Sequence, residues 1–394
     1  MRTIIAVYTS TRADYGILRP LIAKLKVQPN IELRLFVTGT HLNQNFGYTL
    51  TEIEKDYKSD IFYCVEHSCQ ENEKLKNLNI MSEALLKYSE ALVQDKPDIS
   101  IVLGDRYEAL CFGIACAALG ISLVHLHGGE LTFGAIDDKF RHCLTKLSEW
   151  HFVACETYRK RVIQLGENPD RVFNAGALGV DNALNQKLLS QAELEKELKI
   201  NIPSELYLFT FHPETNSADF GADLLKKFLQ KFEERLNQNN ALVVLTGVNS
   251  DAGSSKIRGI ILDFAAKMNN RALFVESLGL VKYLSLMKLA TAVMGNSSSG
   301  VLEAYSMGTP AVNIGLRQAG RERESSVVDL LSIKDIVTFN FETIVDLKKQ
   351  LAFSKNISLF GDGTAASTIA NKLADIAENL AQYKKPKEFF NIYT

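Results

Sequence analysis

The chain lacks most of the patterns that assign a protein at a glance. Its six cysteines, at positions 64, 69, 111, 116, 143 and 155, include no Cys-x-x-Cys pair and no regular spacing. That leaves no basis for a zinc ribbon or a disulfide-stapled secreted domain. Neither sign of charge is in excess: 44 lysines and arginines face 46 aspartates and glutamates, for a net −2. No nucleic-acid partner is expected, although a local basic pocket for phosphate is compatible with this balance. No long apolar run opens the chain. In MRTIIAVYTSTRADYG, Arg2 precedes a run of five apolar residues, too few for a signal-peptide core and far short of the ~20 a membrane helix needs. The run reads as a first strand, and the protein is expected in the cytoplasm with no membrane partner. No Gly-x-Gly-x-x-Gly follows it, so a dinucleotide cofactor is not indicated. There is no internal repeat at a period of about 20–50 residues and no low-complexity tract.

What is present is the composition of a folded chain, 46% hydrophobic and 23% charged. At 394 residues it exceeds one ordinary core, and two domains of roughly 150–200 residues are expected. Short β-branched runs recur, each followed by a stretch of helical spacing. In the first half they are Ile4–Tyr8, Leu33–Val37, Ile99–Leu103, Leu123–Leu126 and Phe152–Ala154. After a looser stretch the rhythm restarts with Leu206–Phe211, Leu242–Leu245, Leu273–Val275, Ala292–Met294 and Ala311–Ile314. Alternation of this kind implies α/β architecture, with parallel sheets covered by helices on both faces. Two such series imply two Rossmann-like doubly wound domains, 1–180 and 200–365. The polar segment 182–205 reads as a surface helix and linker. A C-terminal helix and tail, 366–394, is expected to pack back on a domain, the N-terminal one being the candidate. A ligand would sit at the carboxyl ends of the strands, between the domains. Cys111 and Cys116, in an apolar stretch, read as buried core thiols.

The chemistry-bearing residues collect just after these strands. Thr9–Gly16 opens a helix with small hydroxyl residues and Arg12, a setting that suits an anion at the helix start. Asp105 ends another strand, where it serves either as a helix cap or as a catalytic carboxylate. The densest patch runs His125-Leu126-His127-Gly128-Gly129-Glu130, then Asp137-Asp138 and Arg141-His142. A strand would place His125 and His127 on one face, and the paired glycines allow close backbone approach to a ligand. Satisfied core histidines and helix-capping acids are the competing account. In the second half, His212 and Glu214 end the strand that opens the second domain. Ser297, Ser298, Ser299 and Gly300 lead into a helix that carries Glu303. Hydroxyls and amides there suit a pyrophosphate, and a carboxylate can accept from both hydroxyls of a ribose diol. Arg317 and Arg321 add two cations in a later loop.

Seven motifs, in this order, resemble those of the hydrolysing UDP-N-acetylglucosamine 2-epimerases of bacterial sialic-acid and related nonulosonic-acid biosynthesis. They are Thr11–Gly16, Val37–Gly39, Leu103–Arg106, His125–Glu130, Phe211–Glu214, Asn296–Gly300 and Asn313–Gly315. The resemblance covers about residues 1–325. It implies a glycosyltransferase-B-type fold, a homo-oligomer (dimer or tetramer) and a nucleotide-sugar substrate. The implied reaction eliminates UDP across C1–C2 to a 2-acetamidoglucal, and hydration then gives N-acetylmannosamine. Around His127–Glu130 the sequence departs from the non-hydrolysing branch, which reads His-x-Glu-Ala-Gly there.

The residues suit this chemistry. A positioned carboxylate must take the weakly acidic C2 proton as the C1–O bond breaks, and Asp105, Glu130 and Asp137 are the acid–base candidates. His212 joins them as a catalytic candidate by stabilising charge on the departing pyrophosphate. Arg12, His127, Ser297, Ser298, Ser299, Gly300, Glu303 and Arg321 are the substrate-binding candidates. No cofactor and no metal is needed, since no hydride moves and the leaving group is good. The alternatives are a diacetamido-trideoxyhexose linked to UDP or GDP as the substrate, or a non-hydrolysing epimerase. More distant rivals are a metal-dependent hydrolase built on His125, His127 and Glu130, a glycosyltransferase, and a sugar-nucleotide sensor. Clustered carboxylates argue against the sensor, because pure binding of an anion disfavours further negative charge.

Overall fold

The computed structural model describes residues 2–44, 48–66, 76–249, 251–352, 357–383 and 387–392. Cys69 lies outside them. The chain divides into two compact units, one of Met1–Glu130, Asp137–Asp181 and Gly363–Thr394, the other of Leu131–Ile136 and Asn182–Asp362.

The first unit carries a seven-stranded sheet. Its strands are β1 (Thr3–Thr9), β2 (Ile31–Thr38), β3 (Ile61–Val65), β4 (Ile99–Leu103), β5 (Ser122–Leu126), β6 (Trp150–Val153) and β7 (Val172–Asn174), in the order β3-β2-β1-β4-β5-β6-β7. All neighbours are parallel. Alternate residues of each strand face opposite ways. Ile5 and Val7 of β1 therefore pack with Leu18, Leu21 and Ile22 of the helix Arg12–Lys26, and with Ile369 and Leu373 of the helix Ala365–Glu378. Tyr8 turns the other way, against Phe36, Tyr88 and Phe112. Burial on both faces explains why these strands read as continuous apolar runs. The late helix is fixed at its start by Asp181, whose carboxylate accepts from the amides of Ala365 (2.9 Å) and Ala366 (2.6 Å).

The second unit repeats the plan with six parallel strands: β8 (Glu205–Thr210), β9 (Ala241–Thr246), β10 (Ala272–Val275), β11 (Ala292–Gly295), β12 (Ala311–Ile314) and β13 (Val327–Leu330), ordered β10-β9-β8-β11-β12-β13. Phe209, Phe228 and Phe232 head the core on one face; Leu208, Val244 and Leu286 lie in the core on the other. The segment 182–205 is more than a linker, since Leu194 of its helix Gln191–Leu198 is fully buried in that second core.

β3, β7 and β13 were not expected from the sequence, and all three are edge strands. β7 and β13 are short and each holds a polar residue, Asn174 and Asp329, whereas Ile61–Val65 is apolar throughout, a run long enough to read as a strand. In each sheet the strand order reverses at one point, between β1 and β4 and between β8 and β11. A doubly wound sheet offers its binding crevice there, outside the carboxyl ends. Cys111 and Cys116 are buried free thiols. No helix among the described residues is long and apolar enough to cross a membrane.

Candidate active site

In the first unit, the start of the helix after β1 is not an open anion site. Asp14 occupies it, accepting from the amides of Ser10 (3.0 Å) and Thr11 (3.0 Å), the Ser10 hydroxyl (2.9 Å) and the Thr9 hydroxyl. Burial opposes its charge, but the nearby His41 and the bonds from Thr9 and Ser10 outweigh it and hold the carboxyl below its ordinary value. Arg12, expected on phosphate, lies 3.1 Å from Glu52 with its side chain 39% exposed.

The ends of β4 and β5 carry a charged network. Arg141, 1% exposed on the helix Asp137–Leu147, bonds to the Asp105 carboxylate, donates to the His127 carbonyl (2.9 Å) and lies 3.7 Å from Glu130. Burial disfavours its charge, yet Asp105 and Glu130 more than offset this and raise its pKa. Glu130, 1% exposed, receives His127 Nδ1 at 2.6 Å. His127 Nε2 is buried with no hydrogen-bond partner among the described residues. Gly129 is required beneath this turn, because at φ +78 a Cβ would lie 2.5 Å from the Tyr158 carbonyl oxygen.

The two histidines do not share a strand face. β5 ends at Leu126, and His127 adopts φ +62, which swings its ring out of the strand alternation. His125 is a satisfied core residue, with Nε2 2.7 Å from the Gly104 carbonyl and Nδ1 3.1 Å from Thr145. Burial pushes its pKa down to about 3, so the ring is neutral. With both nitrogens engaged it is unsuited to the ligand role of the metal-hydrolase rival. Asp105 is not a helix cap, because the N-cap position falls on Arg106. Asp137, half-buried, opens the helix that carries Arg141.

In the second unit, Asn296 is the organising residue. Fully buried after β11, it accepts from the His212 amide (2.7 Å) and donates to the His212 carbonyl (2.8 Å). Its own carbonyl accepts from Gln318 (2.7 Å) and Arg317 (3.4 Å). Gly295 permits this junction: at φ +119, a Cβ would sit 1.9 Å from the Thr210 carbonyl oxygen. His212 Nδ1 accepts the Asn249 amide (3.2 Å), which leaves the proton on Nε2. Burial, reinforced by Arg317, lowers its pKa to about 3. His212 is therefore a neutral hydrogen-bond donor.

Ser297 and Ser299 hydroxyls lie 3.1 Å apart, and Tyr283 reaches Ser299 at 2.5 Å. Tyr283 was not anticipated; nothing in the apolar helix Gly279–Leu289 sets it apart in sequence. Ser298 is half-buried at the helix start, whereas a Cβ on Gly300 would point at Val293 (3.5 Å) and Ala311 (3.6 Å), placing this glycine in the packing against the sheet. Glu303 is half-buried, and its carboxylate receives no hydrogen bond or ion pair among the described residues; burial raises its pKa to about 7. Glu214 holds the loop after β12 by accepting from the amides of Leu316 (2.7 Å) and Arg317 (3.3 Å). Arg321 is half-buried in that loop.

The chain belongs to the UDP-N-acetylglucosamine 2-epimerase family, whose model matches residues 23–374. It is 40% identical over 325 residues to the GDP/UDP-N,N'-diacetylbacillosamine 2-epimerase (hydrolyzing) of Campylobacter jejuni, covering 82% of this chain and 83% of that protein. It is 37% identical to polysialic acid biosynthesis protein P7 of Escherichia coli, covering 82% and 81%. Among solved structures, UDP-GlcNAc 2-epimerase from Neisseria meningitidis bound to UDP-GlcNAc matches with TM-score 0.77 and 17% identity over 95% of this chain and 100% of that one. The fold is thus the glycosyltransferase-B-like pair of parallel-sheet domains seen in such epimerases.

Proposed function

We propose that the chain is a hydrolysing 2-epimerase of a nucleotide-linked 2-acetamido sugar, working in the cytoplasm as a homo-oligomer without metal or redox cofactor. The carrying observation is the buried network in which Arg141 joins Asp105 to the Glu130–His127 pair. A carboxylate on one imidazole nitrogen fixes the tautomer and leaves the other nitrogen to handle a proton. His127 Nε2 removes the C2 proton while the C1–O bond breaks and its electron pair leaves with the nucleoside diphosphate. Water then adds to the glucal, its oxygen to C1 and a proton to the opposite face of C2. Asp137 is the candidate for that second proton.

The second unit supplies the leaving-group site. The neutral His212 Nε2–H, the Ser297 and Ser299 hydroxyls, Arg317 and Arg321 bind the pyrophosphate, where charge develops. Glu303 accepts from the ribose hydroxyls.

Two sugars are in view. The 40% identity to a diacetylbacillosamine enzyme favours a UDP- or GDP-linked diacetamido-trideoxyhexose. UDP-N-acetylglucosamine, giving N-acetylmannosamine for sialic-acid synthesis, is the second reading, favoured by the polysialic acid protein at 37%. Proton NMR of each candidate with the enzyme in D₂O tests both the chemistry and the choice. The expected product is the free, epimerised sugar with one deuterium at C2, alongside free nucleoside diphosphate. Retention of protium at C2 would refute the elimination route. An epimerised sugar still joined to its nucleotide would refute the hydrolysing one.

A further inference from the structure

The segment Leu131–Ile136 lies in sequence between Glu130 and Asp137, two carboxylates of the first unit, yet it is built into the second. Phe133 donates its amide to Ala319 (3.0 Å), and the Phe133 carbonyl accepts from Asn216 Nδ2 (2.9 Å). The Gly134 carbonyl accepts the Asn216 amide (3.3 Å), and the Ile136 amide donates to Thr215 Oγ1 (3.3 Å). The fit is close: a Cβ on Gly134 would meet the Leu316 carbonyl oxygen at 2.4 Å, and one on Gly320 would meet Leu131 and the Phe133 ring at 2.8 Å.

The loops that grip this segment are those of the second unit's site. Thr215 and Asn216 follow His212 and Glu214. Glu214 holds Leu316 and Arg317, and Arg317 and Gln318 reach the Asn296 carbonyl at the start of the serine loop. Hydrogen bonds, joined by the chain steps Gln318–Ala319 and Glu214–Asn216, therefore lead from Asn296 to Leu131–Ile136. The anchored Ile136 amide immediately precedes Asp137, and Leu131, packed on Gly320, immediately follows Glu130. A shift of these loops is delivered within one residue of each carboxylate, with no slack chain to absorb it.

We propose that Leu131–Ile136 is a strap through which nucleotide bound in the second unit positions Glu130 and Asp137, with Thr215 and Asn216 as its positioning residues. The inference rests on the nucleotide placement given under Proposed function. Asn216 is exposed and Thr215 half-buried, so the double variant Thr215→Val/Asn216→Ala leaves the core intact. Its kcat falls about 2- to 30-fold, the range for a broken coupling element. Its UDP affinity is unchanged or slightly tighter, because binding no longer spends free energy on alignment; general structural damage would weaken both.

Backbone hydrogen exchange with and without UDP separates the outcomes. In the wild-type chain UDP is expected to protect 210–216, 295–300 and 126–142, and in the double variant only the first two. Protection of 210–216 and 295–300 without 126–142 in the wild type, or its persistence at 126–142 in the variant, overturns the strap and leaves the nucleotide site standing. Absence of protection everywhere overturns the nucleotide placement and the strap with it.

Discussion

Glu303→Gln separates a stability cost from a binding role at one carboxyl group. Burial, with no cation or donor on it among the described residues, raises its pKa from the ordinary 4.5 to about 7. The folded chain then keeps this proton up to about pH 7, whereas the unfolded chain gives it up near 4.5. The folded state binds more protons in that window, so the contribution is fully present below pH 4.5 and lost as pH rises through 7. At pH 8 the ligand-free protein carries a penalty of at most about 3 kcal/mol for holding the charged form. Glutamine keeps the shape without the ionisation. Relative to wild type, the variant should gain stability steadily from pH 5 to pH 8, by roughly 6–12 °C in Tm at the upper limit. The same change removes the acceptor for the ribose hydroxyls, and UDP affinity should fall by at least about tenfold. In the wild type those donors favour the carboxylate, so UDP binding near pH 6.5 should release a proton, measurable by calorimetry in buffers of different ionisation heat. A variant with the wild-type pH–stability curve and wild-type UDP affinity would refute both the recessed carboxyl and its ribose role.

Two further substitutions test the first unit. Arg141→Met leaves Asp105 and Glu130 without their buried cation and should cost about 3–5 kcal/mol in denaturant unfolding; a loss below about 1 kcal/mol would show that the ion pairs are not the support described. His127→Asn tolerates the positive φ, so melting temperature and UDP affinity should hold while turnover falls ~10²–10⁴-fold. Near-normal turnover would move the proton chemistry to another residue.

The sequence by itself determined the two doubly wound sheets, because strands buried on both faces must be apolar along their whole length, as Ile4–Tyr8 and Leu242–Leu245 are. It also drew the candidate residues together, since residues that end such strands are carried to the carboxyl edge of the sheet. Edge strands such as Val172–Asn174 escaped, being covered on too few sides to need a strong pattern. Tertiary structure gave two nearby histidines different surroundings. His125 and His127 look alike in sequence, but the positive φ at 127 turns one ring to Glu130 while the other is spent on Gly104 and Thr145. It likewise brought Arg141, four residues into its helix, onto Asp105, and placed Leu131–Ile136 in the other unit. Pairings between distant residues, and a short segment's choice between two units, depend on packing that no local spacing records.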